Sequence, residues 1–149
     1  GVVYEIKAGE MFYAWKGSYA YMNDRILNVT NASTFSEALV TTGFPYEQSD
    51  YFKGMMDVLT YVINHSHGIR RLGSAATDLC YLAAGRMEVF YEPGLHVWDV
   101  AAASLIVKQA GGTVTDFSGG NNYLYGKEML ATNTRLHQPF LDMLNKYSQ

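Results

Sequence analysis

The sequence predicts an α/β fold, a layered sandwich in which a mixed sheet is flanked by helices. Three observations carry that expectation. Strand-type and helix-type stretches alternate through the second half of the chain. Aromatic residues crowd the first thirty positions in short runs broken by turn residues. An apolar pattern at helical spacing runs through Val100, Ala103, Ile106, Val107 and Ala110. At 149 residues the chain is the size of one domain and can bury a sizeable core.

In order, VVYEIK and MFYAWKG are joined by AGE, a short glycine-containing link that reads as a hairpin. A third strand over Ser18 to Met22, an Asn23-Asp24 turn and an extended piece from Ile26 to Val29 follow, their aromatics reading as cross-strand pairs and core. A chain that opens directly on strand-type residues is expected to be part of something longer. Ala38 to Thr42 is a buried strand leaving into a loop with Gly43 and Pro45. The next helix, Asp50 to Asn64, is expected to bury Phe52, Met55, Met56, Leu59, Val62 and Ile63 along one side. His65 and His67 read as caps of its C-terminus rather than metal ligands, since no third ligand stands at a useful spacing. Beyond them come a strand from Ile69 to Leu72, with Arg70 and Arg71 facing opposite ways, a Gly73-Ser74 turn, and a helix from Ala75 to Ala84. A strand from Met87 to Tyr91 follows, with Glu92 just past its end in a Pro93-Gly94 turn. A helix beginning near Asp99 ends at Gly111-Gly112, and strands over Thr113 to Phe117 and Glu128 to Thr132 precede a helix from His137 to Tyr147 around Phe140, Leu141 and Leu144.

Composition excludes several classes of function. Nearly half the residues are hydrophobic and the net charge is −3, which indicates neither disorder nor a polyanion partner, so nucleic acid is not expected as a ligand. No apolar run approaches the roughly 20 residues that span a bilayer, and the opening lacks the zones of a signal peptide. The lone Cys80 lies in an apolar helical run, as a core thiol in a reducing compartment would. These features point to a cytoplasmic protein, in which the sequons at Asn28 and Asn31 stay unmodified.

The chemistry concentrates between His67 and Gly112. Asp99, at the start of an apolar helix, either caps that helix or offers oxygen to a hard cation such as Mg²⁺. In Gly73-Ser74-Ala75-Ala76 the serine can cap a helix, the glycine lets backbone approach a ligand, and the free N–H groups attract phosphate oxygens. Asp78, one turn on, is accounted for by the helix dipole. Glu92 reads from its surroundings as a turn carboxylate.

WDVAAASLIVKQAGG, preceded by GSAA and by a glutamate seven residues before the aspartate, resembles the C-terminal signature of the inositol monophosphatase family of Mg²⁺-dependent phosphatases. The bare Trp-Asp pair does not suggest a propeller, because no repeat of suitable period exists. RRLGSAATDLCYLAAGR and GFPY look closest to bacterial members. The resemblance implies the C-terminal part of the sugar-phosphatase fold together with strands of its N-terminal sheet, residues 1–35, ahead of a C-terminal α/β domain, residues 36–149. It implies that Asp99 ligates Mg²⁺ and touches substrate, that Glu92 binds polyol hydroxyls, and that Gly73, Ser74 and Ala75 contact the substrate near its phosphate.

The same resemblance covers only the family's C-terminal half. The upstream glutamate and the Asp-Pro-hydrophobic-Asp-Gly-Thr stretch that hold the family's catalytic metals have no counterpart here. Two-metal phosphate ester hydrolysis needs a cation on both the attacking and the leaving oxygen, which one aspartate cannot provide. The expected function is therefore the C-terminal part of a Mg²⁺-dependent phosphatase for inositol monophosphate or a related polyol or sugar phosphate, inactive alone. Its expected partners are a phosphate ester substrate, the missing N-terminal half and, as family members dimerise, a second copy. The alternatives are a catalytically silent assembly module, or a relative of fructose-bisphosphatase or phosphoadenosine-phosphate phosphatase.

Overall fold

Residues 2–27 fold as a meander because each strand-type run is cut by a residue suited to a turn. The computed structural model describes residues 1–44 and 51–147, the side chains of 51–53 excepted. Strands β1 (Val2–Glu5), β2 (Glu10–Tyr13), β3 (Ala20–Met22) and β4 (Arg25–Leu27) pair antiparallel in sequence order. Asn23 closes the last hairpin with φ 52°, a conformation asparagine tolerates, and its side-chain oxygen accepts from the Met11 N–H at 2.9 Å. Alternation along the strands sends Phe12, Ala20 and Leu27 inward, all buried. It sends Val2, Tyr4, Met11 and Ile26 outward, between 44% and 62% exposed, beside stacked Tyr13 and Tyr21 rings 5.2 Å apart.

The second sheet contains β5 (Leu39–Thr42), β6 (Gly68–Arg70), β7 (Val89–Pro93), β8 (Thr113–Thr115) and β9 (Glu128–Thr132) in the order β6-β5-β7-β9-β8. Strand β5 is parallel to β6 and β7, while β9 is antiparallel to both β7 and β8. The sheet is thus mixed, as the alternation of elements implies. Among the described residues four α-helices surround it: α1 (Tyr51–His65), α2 (Ala75–Ala83), α3 (Val97–Gln109) and α4 (His137–Tyr147). Phe90, Met129 and Ala131 meet Leu79 and Leu82 of α2 and Ile106 and Val107 of α3 on one face. Val40, Val89, Tyr91 and Leu130 meet Val58 and Val62 of α1 and Phe140 and Leu144 of α4 on the other. Because α2 and α3 also pack on Phe12 and Leu27, the layers run sheet, helix pair, sheet, helix pair. The first sheet ends at Leu27 and the second begins at Leu39, and one core cluster, with Phe12 and Leu27 at one end and Phe90 and Met129 at the other, joins them.

Several expectations shift in detail. Strand β6 stops at Arg70, so Arg71 lies past its end, and both arginines are exposed instead of facing opposite ways. Glu92 belongs to β7 itself, whose pairing with β9 extends to Pro93. On α1 the core takes Met55, Val58 and Val62, while Met56 and Ile63 are 40% and 58% exposed; the apolar stripe is narrower than the run of apolar letters. His65 caps α1 through Nδ1, 2.8 Å from the Tyr61 carbonyl, whereas the His67 backbone N–H donates to Ala38 at 2.9 Å. The proposed helix start at Asp50, Pro45 of the preceding loop and the Phe52 side chain lie outside what is described. Among the described residues no helix is long and apolar enough to cross a membrane.

Candidate active site

The site forms where the topology changes direction. Strand β5 connects through α1 to β6 on one side of it, and β7 connects through α3 to β8 on the other, so the crevice beyond their carboxyl ends is where open α/β sheets bind ligands. A cavity of about 430 Å³ lies there, lined by Gly73, Ser74, Ala75, Glu92 and Asp99 together with Arg71. All five residues singled out from the sequence therefore face one cavity.

Two helix N-termini contribute to the same cavity. Ser74 is the N-cap of α2, its Oγ accepting from the Thr77 N–H at 3.4 Å, and Gly73 before it turns the chain at φ +92°. The cap of α3 is His96, not Asp99. Asp99 sits three positions into the helix, where one carboxylate oxygen accepts from the His96 N–H at 2.9 Å. Capping and ligation are thus compatible, because a carboxylate holding one N–H keeps acceptor capacity on its second oxygen. The paired N-termini direct partial positive charge at the cavity, a disposition suited to phosphate.

Asp78 and Glu92 are the unusual acids. Asp78 is 1% exposed and accepts from the Thr41 hydroxyl at 2.8 Å, so the helix dipole alone does not account for it. Burial raises its pKa to about 6, against the Thr41 bond and the charge of Arg71. Glu92 is raised to about 7, first by burial and then by the charge of Asp78, with Arg71 opposing and Asp99 adding. Asp78 lies behind the lining residues and acts on the cavity through its charge on Glu92, which Arg71, itself a lining residue, partly offsets. On the sequence alone, Asp78 is assigned only to the helix dipole, Arg71 only to a strand, and Gly43, which also lines the cavity, only to a loop. The one available signal was the polar pair Thr41-Thr42 inside an otherwise buried strand.

For a metal, the fit is partial. Among the described residues no group of three or more His, Cys, Asp or Glu side chains is arranged to hold an ion. Asp99 can supply one hard oxygen, which is enough only if water, a substrate phosphate or another chain segment completes the shell.

Comparison with known proteins identifies the family and the fold. The sequence profile of the inositol monophosphatase family matches residues 1–149. The chain belongs to the inositol monophosphatase family. Among relatives, Nus factor SuhB of Pasteurella multocida is 40% identical over 144 residues, covering 97% of this chain and 54% of that protein. Nus factor SuhB of Escherichia coli is 39% identical over 140 residues, covering 94% and 52%. The crystal structure of extragenic suppressor protein suhB from Bartonella henselae superposes with a TM-score of 0.93 at 38% identity, over 98% of this chain and 57% of that one. The IMPase of Thermotoga maritima gives 0.87 at 32% identity, over 99% and 56%. The chain thus spans about half the length of the family members it matches.

Proposed function

We propose that the chain is the C-terminal part of a cytoplasmic, homo-oligomeric Mg²⁺-dependent phosphatase acting on inositol monophosphate or a related polyol or sugar phosphate. In this reading residues 1–35 supply strands of the longer protein's N-terminal sheet and residues 36–149 its C-terminal α/β domain. The convergence of Ser74, Glu92 and Asp99 on one cavity supports it above all.

In this reading the N-termini of α2 and α3 draw the phosphate oxygens inward, and the Gly73-Ser74-Ala75 turn admits the ester close to backbone. Glu92 hydrogen-bonds the polyol hydroxyls and thereby orients the ring relative to the phosphorus. Asp99, held by its bond from the His96 N–H, would hold Mg²⁺ through its second oxygen and touch the substrate. Bound Mg²⁺ supplies charge neutralisation and an activated water.

The test combines this chain with a separately produced upstream half and measures phosphate release from inositol monophosphate. Mg²⁺-dependent release is expected, with Asp99→Asn lowering it by about a hundredfold or more, since loss of even an outer-shell partner costs about 10- to 100-fold. No release from halves that are folded and associated would overturn the assignment.

A second reading is favoured by the outward face of the β1–β4 sheet, where Val2, Tyr4, Met11 and Ile26 are exposed, and by the name Nus factor SuhB carried by relatives. It makes the chain a catalytically silent assembly module. Calorimetric titration with Mg²⁺ and inositol monophosphate separates the two, because a silent module shows no coupled binding even when the upstream half is supplied.

A further inference from the structure

Gly43 occupies a position for which the backbone does not require glycine. It follows β5 directly, and its φ lies outside the left-handed region. The parallel register pairs Thr42 with Tyr91, which places Gly43 beside Glu92, the next residue of β7. The three atoms nearest to where its side chain would begin all belong to Glu92. A Cβ built on Gly43 would overlap the carboxylate of Glu92, whose Cδ and two oxygens are its three nearest atoms among the described residues. The obstructing atoms are the far end of a flexible side chain, so an added methyl group would be relieved by moving that carboxylate rather than the backbone.

We propose that Gly43 is a positioning residue of this site: the space left by its missing side chain seats the Glu92 carboxylate, and position 43 thereby sets selectivity for hydroxyl-bearing phosphate esters. The inference rests on the role given above to Glu92 and extends it to a residue that touches no substrate. Two further charges act on the carboxylate. Asp78, fixed by Thr41 of β5 two residues before Gly43, repels it, and Arg71 attracts it. Without a vacancy at 43, the carboxylate would be pushed off strand β5 and would carry its hydrogen-bonding direction with it.

The experiment uses the whole natural protein with Mg²⁺ and compares Gly43→Ala, Glu92→Gln, the double variant and a control, Gly68→Ala. At Gly68 on the neighbouring strand an added Cβ meets only Leu39 and Arg70 side-chain atoms, both at 3.6 Å, an ordinary contact. Each is assayed on inositol monophosphate and on p-nitrophenyl phosphate, which carries no hydroxyls for Glu92 to hold. Gly43→Ala should lower kcat/KM for inositol monophosphate by about tenfold or more, the scale of one lost hydrogen bond to a charged group, and leave p-nitrophenyl phosphate within about twofold. The double variant should be no worse than Glu92→Gln, because Gly43 acts through that residue. Additive losses, or equal losses on both substrates, overturn the proposal. If Glu92→Gln leaves inositol monophosphate turnover intact, the role of Glu92 fails, and a crystal structure of Gly43→Ala then decides. A displaced Glu92 carboxylate upholds the seat, and an unmoved one overturns it.

Discussion

The β1–β4 sheet and the carboxyl edge of the β5–β9 sheet treat their charged groups in opposite ways. In the first, Glu10 meets Arg86 in a two-pronged ion pair, with contacts of 2.8 and 2.5 Å, and its pKa is lowered chiefly by that hydrogen bond. In the second, burial raises both Asp78 and Glu92, and the charge of Asp78 raises Glu92 further, with neither acid in an ion pair among the described residues. The first arrangement favours the folded state, and the second opposes it. Buried acids with raised pKa values cluster at binding sites, so the contrast sets the part of the chain that builds the molecule against the part proposed to bind substrate.

The largest expected effect tests the building half. Phe12 is fully buried between its sheet and the α2–α3 layer, whereas Tyr4 on the neighbouring strand points outward and is 54% exposed. Phe12→Ala should cost about 3–5 kcal/mol by loss of apolar burial and the cavity left behind. Tyr4→Ala should cost under about 1 kcal/mol, the worth of a cross-strand pair. Urea unfolding of the two variants checks the comparison. Equal costs would mean that the outward face is buried in solution, as an assembly module requires.

The next effect tests the working half through pH. Glu92 and Asp78 have folded-state pKa values of about 7 and about 6, above their ordinary 4.5 and 3.8. The folded chain therefore binds more protons than the unfolded chain between about pH 4 and 7, and stability must fall as pH rises through that window and level off above it. The melting temperature should be higher at pH 5 than at pH 8 by about 3–8 °C, measured by differential scanning calorimetry. The double variant Asp78→Asn/Glu92→Gln should flatten that slope. A slope that survives in the variant would place its origin elsewhere.

How far the site was legible follows from the same contrast. The turn at Ser74, the glutamate ahead of Pro93-Gly94 and the aspartate after Trp98 announce themselves because turns and helix starts are local in sequence. The bounds of β9 and α4 were legible for the same reason. Asp78 was not, since an acid in a helix's first turn looks alike whether solvent or Thr41, on a strand 37 residues away, lies over it. Gly43 resembled any loop glycine, and only the register of β5 against β7 shows what its missing side chain makes room for. The cap of α3 moved from Asp99 to His96 because histidine carries little capping signal, while the carboxylate three positions on reaches back to the same backbone N–H.

The smallest effect returns to the ion pair. Arg86 also lies over the Tyr81 ring, 4.5 Å from its centroid, so the guanidinium ties β2 to α2 through two kinds of contact. Its side chain is 37% exposed, which lets solvent screen the pair. Arg86→Ala should therefore cost about 0.5–1.5 kcal/mol, the sum of a surface ion pair and a cation–π contact at an exposed site. The Glu10 component has the sign opposite to that of the acids at the cavity. Its folded pKa is depressed, so its stabilisation is present above the ordinary value of 4.5 and is lost as pH falls through the lower, folded value. Urea unfolding should show the difference between wild type and Arg86→Ala at pH 7 shrinking below about pH 4, in the acid range where the cavity carboxyls, already protonated, no longer change. A difference that stays constant with pH would assign the role of Arg86 to packing on Tyr81 alone.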